Sequence, residues 1–471
     1  MRSYVVFVVL VFLLIGGFYA IITRTREAHV APEPEIVVAT FEDAGNGKPL
    51  YPMLDASALD AAADGSSTLD AGPPGKLARP LRVAALGWDV AAPGLVEPAA
   101  SLQVTAVDAT SDIESRIGRG GGDPDGADIA VVPLASFVAS YEKLKALQPE
   151  VFLVVGWSRG REVILGSSGA TLGKLSRTEE VRVTSGGIEA PTMLALVAFD
   201  AVGVAPDKVR VLPFAPDDKK PFFVMADRAS LDGGTVGAGP SGQKVVLTSA
   251  DAARAVPLVA FAARSFLDAH PEDVTSFAKQ WFSGNVGVRA DAAGASRKIA
   301  AMPKAPEAVF LLERLGQMEP AAADDLAPEL LQELVRHEME LWRAAGSSGG
   351  TAVSALPVAT ATLTALAKPG PADAGAKPAP AIGPKRGGNV LLVRRESPPD
   401  GKLDEEAFGA TLAWLATVFD RSTIRVTVKG TGRTHAVVSA AIERLHLPAR
   451  VIEGEGQPAT GAATIEVLAA L

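Results

Sequence analysis

The sequence predicts an α/β protein in three parts: an apolar N-terminal segment, a large two-part α/β domain and a small α/β domain at the C-terminal end. Three observations carry this prediction. Between about 81 and 345, short β-branched runs end in turn or small polar residues and alternate with helical patterns. Two stretches, 28–80 and 346–388, are rich in Pro, Ala and Gly or Asp and lack periodicity, so they read as a tether and an extended linker. Tyr4–Ile22, reading YVVFVVLVFLLIGGFYAII, carries no charge.

In chain order, residues 1–27 come first. At about 1.5 Å per residue, a helix over Tyr4–Ile22 spans a hydrocarbon layer of roughly 30 Å. Tyr4, Phe18 and Tyr19 sit near its ends, where aromatic rings favour the interface. A cleaved signal peptide is the competing reading, but its apolar region is usually about 7–15 residues and ends at a small-x-small site. Here TRTREAHV follows the run. The expectation is one membrane-spanning helix in a bacterial inner membrane, with the remaining mass in the periplasm. Arg2 lies on one side of the run and Arg24 and Arg26 on the other, so charge alone does not orient it.

Composition narrows the function. Of 471 residues, 48% are hydrophobic, enough for real cores. Cysteine is absent, which removes disulfides, thiol catalysis and Cys-ligated metal. The net charge is −9 with no long basic block, so there is no footprint for nucleic acid. The five histidines are scattered, which argues against a His-rich metal site, and no cofactor is expected.

In the large domain, LRVAAL (81–86) ends at Gly87-Trp88-Asp89, and LQVTAV (102–107) ends at Asp108-Ala109-Thr110-Ser111. ADIAVV (127–132) ends at Pro133-Leu134-Ala135-Ser136, and VFLVV (151–155) at Gly156-Trp157-Ser158-Arg159-Gly160. Ligands in open α/β sheets sit at the carboxyl ends of strands, so these four loops are expected to converge on one cleft. REVILG (161–166) reads as a further strand and a crossover. VRVTSGGIEAPTMLALVAF then gives a strand, the turn Thr184-Ser185-Gly186-Gly187 and a helix. Such a turn is either an anion site, through free backbone N–H groups, or only a helix cap. KVRVLPF (208–214) is the next strand, and APDDKKPFFVMADRASLDGGTVGAGPSGQK reads as Gly-rich with no clear strand. KVVLTS (244–249) is expected to return to the first lobe, and residues 257–284 to form two packed amphipathic helices.

In the small domain, 389–471, LDEEAFGATLAWLATVF puts Leu403, Phe408, Leu412, Leu415 and Phe419 on one helical face. TIRVTVKG alternates as a half-buried strand. THAVVSAAIERLHLP is a second helix, and ARVIEGEG and TIEVLA close a small α/β sandwich.

The segments LRVAALGWD, ADIAVVPLASF, VVGWSRGREVIL, TSGGIEAPTMLALVAFDAVGVAPDKVRVLPF and LTSADAARAVPLVAFAARSFLDAHPEDVTSFAKQWFSG resemble the solute-binding proteins of ABC importers. The resemblance is to the nitrate/taurine/sulfonate type, and within it to phosphate-importer substrate-binding proteins fused to an OmpA-like domain. It covers most of 81–345 and implies a two-lobed periplasmic-binding-protein type II fold, with the second lobe at about 166–243. Lobes of this kind close on a small anionic or polar solute and work with an ABC permease. The C-terminal part looks like the peptidoglycan-binding OmpA-like fold, which grips the cell-wall peptide stem with an Asp and an Arg. KGTGRTHAVVSAAIERL has no Asp at that place, and Arg433 and Arg444 are its basic candidates, so the fold is expected with an altered peptidoglycan site.

The residues expected at the cleft are Trp88, Asp89, Ser111, Ser136, Trp157, Ser158, Arg159, Ser185 and Gly186. Trp157 would wall the ligand while Ser158 and Arg159 donate to it, because a planar guanidinium meets two oxygens of a carboxylate, sulfonate or phosphate at once. The alternative is that Arg159 and Arg161 form interlobe ion pairs. For Trp88 and Asp89 the alternatives are a core ring and a helix cap. Gly156–Gly160 also matches G-x-S-x-G, but that nucleophile motif needs a helix directly after it, and a strand follows. Gly237–Gly242 fits G-x-G-x-x-G in the wrong context, and His337-Glu338 lacks the second His of a zinc motif. Asp123-Pro124-Asp125-Gly126 lacks the remaining ligands of a calcium loop. No catalytic constellation is expected. The rival expectation is an envelope scaffold that keeps both folds without either ancestral pocket.

Overall fold

A computed structural model describes residues 75–167, 170–175, 180–185, 189–212, 220–228, 243–345, 355–366, 390–396, 403–429, 432–444, 451–454 and 462–469. The expected membrane helix at Tyr4–Ile22 lies outside them; among the described residues no helix is long and apolar enough to cross a membrane.

The first lobe opens with β1 (Leu81–Leu86), α1 (Trp88–Val96), β2 (Leu102–Val107), α2 (Thr110–Arg119), β3 (Ile129–Pro133), α3 (Leu134–Leu144) and β4 (Pro149–Ser158). The second comprises β5 (Glu162–Gly166), β6 (Val181–Ser185), α4 (Glu189–Ala201), β7 (Val209–Leu212), β8 (Phe223–Asp227) and β9 (Lys244–Thr248). The chain then returns through β10 (Pro257–Ala263), α5 (Arg264–Ala269), α6 (Pro271–Ala290), α7 (Ala292–Ala300), α8 (Ala308–Gly316), β11 (Met318–Pro320) and α9 (Pro328–Ala344).

Two sheets result. The first has the order β11-β4-β10-β3-β1-β2 and the second β7-β6-β8-β5-β9. β1 runs parallel to β2 and β3, whereas β10 is antiparallel to β3 and β4. In the second sheet β6 is parallel to β7 and β8, and β5 is antiparallel to β8 and β9. β3, β4 and β5 are buried along their whole length, which accounts for their largely apolar sequences.

Two segments cross between the sheets: Arg159–Arg161, from β4 to β5, and 249–256, from β9 to β10. They are hydrogen-bonded to each other. Ser158 N donates to Val256 O at 2.9 Å and Ser249 N to Glu162 O at 3.0 Å, while the Ser249 hydroxyl accepts from Gly160 N at 2.7 Å. Gly160 holds φ at 95°, in the region that favours glycine, so the crossing can turn within three residues.

Three expectations are corrected here. KVVLTS does not return to the first lobe: β9 pairs with β5 in the second sheet, and β10 makes the return. PLVAFAA is therefore a central strand and not part of a helix pair. A short apolar run buried on both faces carries no period that separates strand from helix. The Gly-rich region does hold a strand, FVMAD, which is β8 beside β6.

Part of the stretch read as linker is ordered. Val151 N donates to Pro357 O at 2.8 Å and Ala359 N to Val151 O at 2.9 Å, so residues 357–359 add to the free side of β4. α10 (Ala361–Leu366) follows, with Leu363 fully buried.

The C-terminal unit runs β12 (Val390–Glu396), α11 (Glu405–Val418), β13 (Thr423–Lys429), α12 (Gly432–Arg444), β14 (Val451–Gly454) and β15 (Ala462–Leu468), with sheet order β12-β15-β13-β14. Asp404 caps α11 by accepting from Glu406 N and Ala407 N at 2.9 and 3.1 Å. Its predicted apolar face, Phe408, Leu412 and Leu415, is buried with Phe419. β12 was not among the expected elements.

Candidate functional site

The carboxyl ends of β1 to β4 lead into α1, α2, α3 and the crossing, as the strand rule requires. At the first of these ends Gly87 adopts φ 102°. A Cβ there would meet the Asp89 carboxylate at 2.7 Å, so the glycine lets that side chain fold back over the turn. Asp89, in the first turn of α1, is buried.

Asp89 is one end of a charged bridge between the lobes. Arg161, the last residue of the crossing, donates from Nη1 to Asp89 Oδ2 at 3.1 Å and from Nε to Asp227 Oδ2 at 2.9 Å. Asp227 ends β8 in the second lobe. Arg314 of α8 grips the same carboxylate, with Nη1 2.9 Å from Oδ2 and Nη2 2.8 Å from Oδ1. Burial opposes charge on Arg161, but Asp89, Glu162 and Asp227 outweigh it and raise its pKa. Burial likewise works against the charge on Asp227, yet Arg161 and Arg314 hold its pKa below the usual carboxylate value. Arg161 and Asp227 therefore both carry charge at neutral pH.

A second interlobe contact lies at the helix starts. Glu189, first residue of α4, is hydrogen-bonded to Thr110, first residue of α2. Burial raises its pKa, and the hydrogen bonds it accepts offset that in part. A carboxylate at a helix N-terminus is where an anion is favoured, so the chain's own side chain occupies the start of α2. Behind these contacts α4 packs against α3 of the first lobe and against α9.

The sequence-predicted residues separate into groups. Asp89 is in the interlobe bridge. Ser111 is exposed at the start of α2, and Ser136 is buried in the first turn of α3. Trp88 is half-buried and packs with Ala92, Ala295, Ile299, Leu311 and Leu315, the core-ring alternative. Trp157 is enclosed, 1% exposed, and its Nε1 donates to Asp325 Oδ2 at 3.0 Å. Ser158 is buried inside β4 and donates to Glu162 Oε2 at 2.6 Å. The strand β5 follows, so there is no nucleophile elbow. Arg159 lies 2.7 Å from Glu319 and 3.9 Å from Asp420 of the C-terminal unit. Trp157, Ser158 and Arg159 are thus taken up by internal partners. The Ser185 side chain and Gly186 lie outside the described residues, as do the side chains of Arg433 and Arg444.

Sequence reasoning did not single out Asp227, Arg314 or Glu189. Asp227 carried no readable signal, because the strand it ends was masked by the glycines and charges around it. Arg314 carried none, since it looks like an ordinary charged position on a helix. A separate surface depression of about 440 Å³, lined by Pro271, Glu272, Thr275, Ser276 and Lys279 on α6, contains none of the interlobe residues. Among the described residues no cluster of His, Asp and Glu is placed to hold a metal ion.

Comparison with solved structures finds ABC-type solute-binding proteins. The chain is similar to the periplasmic aliphatic sulphonate binding protein of Escherichia coli, at 14% identity over 57% of this chain and 87% of that one, TM-score 0.39. It is similar to the zinc-bound ligand-binding component of an ABC-type import system from Staphylococcus aureus, at 13% identity over 57% and 100%, TM-score 0.38. The periplasmic nitrate-binding protein of Synechocystis PCC 6803 gives 10% identity over 58% and 89%, TM-score 0.38. No family model matches the chain. No curated protein matches it.

Proposed function

We propose that this chain is a membrane-anchored, periplasmic solute-binding-like protein of the ABC-importer type, holding a small anionic or polar solute between its lobes without chemistry. The observation that carries the reading is the Arg161 bridge, which joins Asp89 of one lobe to Asp227 of the other at 3.1 and 2.9 Å where the strands end. An acidic solute, of the phosphate, sulfonate or nitrate class, competes with these two carboxylates for the planar fork of Arg161. A solute shifts lobe closure only by the difference in its affinity for the closed and open arrangements. In this reading Ser111, Ser185 and Gly186 are the further contacts of the solute. Tyr4–Ile22 anchors the chain in the inner membrane, an ABC permease receives the solute, and the C-terminal unit is an OmpA-like domain with an altered peptidoglycan contact.

One observation favours a second reading, a non-catalytic envelope scaffold. Trp157, Ser158 and Arg159 are engaged with Asp325, Glu162, Glu319 and Asp420, and Glu189 fills the start of α2. A thermal-shift screen of the full chain against phosphate, nitrate, short alkyl sulfonates, amino acids and polyamines separates the two. A ligand at about 100 times its Kd adds roughly 2.7 kcal/mol, and the binding reading expects a clear rise in Tm with at least one of them. No rise with any, in a chain that melts cooperatively, favours the scaffold.

A further inference from the structure

We infer that the C-terminal domain is a brace on the hinge, whose docking holds the two lobes in their closed arrangement. The inference needs no solute and stands apart from the identity of any ligand. It rests on where the domain touches the rest of the chain.

The first contact is on the crossings themselves. Phe419, fully buried, anchors the end of α11, and the next two residues reach out of the domain. Asp420 approaches Arg159 of one crossing at 3.9 Å and Arg254 of the other at 3.5 Å. Arg421 pairs with Glu319 of β11. Arg254 N donates to Val418 O at 3.0 Å. Arg254 is itself fixed in the first lobe, with Nη2 2.9 Å from Asp325 and its guanidinium 5.5 Å from the centre of the Trp157 ring.

The second contact is on the second lobe. Arg394 of β12 donates from Nη1 to the carbonyl of Asp200, at the end of α4, at 2.6 Å. β12 packs on residues 172–174, which precede β6. A third contact lies between these, where the Trp414 ring of α11 sits 3.8 Å, centre to centre, from the His337 ring of α9. His337 Nε2 is in turn 3.4 Å from Asp200 Oδ2.

One folded domain thus holds both crossings, the edge of the first sheet and the far end of α4. The lobes cannot rotate about Arg159–Arg161 and 249–256 while all three contacts persist. Opening must break at least one set, so docking and closure are coupled, and each shifts the other equally.

The absence of cysteine makes a direct test simple. Ser115→Cys, exposed on the first lobe, and Ala205→Cys, exposed on the second, introduced into the full chain, carry a unique pair of spin labels for a double electron–electron resonance measurement. One narrow distance is expected in this background. Adding Asp420→Ala with Arg421→Ala, or separately Trp414→Ala, removes contacts from the domain side only and should produce a longer component at least several-fold more populated than before. Circular dichroism confirms that each variant is folded; if the paired substitution does not fold, Trp414→Ala decides. An unchanged distribution in every folded variant overturns the brace.

Discussion

Glu338 shows most directly what a single residue contributes that its sequence neighbourhood conceals. In the sequence it belongs to a failed zinc motif, His337-Glu338, with Leu at position 341. In the fold it is buried on α9, its Oε2 has no hydrogen-bond partner, and burial raises its pKa well above 4.5. A carboxyl raised in this way keeps its proton when folded and loses it when unfolded, so stability falls as pH rises above the ordinary glutamate value. Glu338→Gln lacks that loss. The stability of the Gln variant relative to the natural chain should grow as pH rises above about 4.5, at up to about 1.4 kcal/mol per pH unit. Urea melts across that range give the slope, and a difference that stays flat would contradict the assignment. The residues of the bridge were legible to unequal degrees. Asp89 could be placed because it follows a strand and a glycine. Arg161 appeared only as an alternative. Trp157 was read as a cleft wall and in the fold is enclosed with its Nε1 on Asp325, because an apolar ring at a strand end looks the same in sequence in either setting.

Elements were more legible than contacts. β1 to β4 follow from short β-branched runs that end in turn or small polar residues, and α11 from its 3.6-residue period. β10 was lost because PLVAFAA holds a single β-branched residue and runs without a turn signal into a helix, and β8 because the glycines and charges around it mask a five-residue strand. Close helix crossings are hidden for another reason: a small residue permits them but does not announce them. Gly284 in α6 lies against α1, where an added Cβ would sit 2.1 Å from the carbonyl oxygen of Pro93 and 2.7 Å from its carbon. Backbone atoms cannot swing aside as the tip of a long side chain can. Alanine is intrinsically the better helix former by about 1 kcal/mol, yet Gly284→Ala should lower stability by about 1–3 kcal/mol through overpacking. Chemical denaturation of the variant checks the sign, and a gain in stability would show that α1 and α6 separate without cost.

At the scale of the molecule, the two sheets, the two crossings and the charged bridge form one mechanical unit, with the C-terminal domain seated on its hinge. The sequence conveyed many of the individual strands and helices. Their mutual docking could not be read, because Arg159, Arg254, Glu319 and Asp420 are far apart in the chain and individually resemble surface charges. The same holds for Arg314 with Asp227. The central claim is that a small acidic solute binds between the lobes at Arg161. Titration calorimetry of phosphate, nitrate and a short alkyl sulfonate into the full chain and into its Arg161→Met variant tests it most directly. The account predicts saturable one-to-one binding of at least one of these anions, weakened at least tenfold by the substitution in a chain that remains folded. Binding of equal strength in both proteins, or none up to millimolar anion, would contradict it.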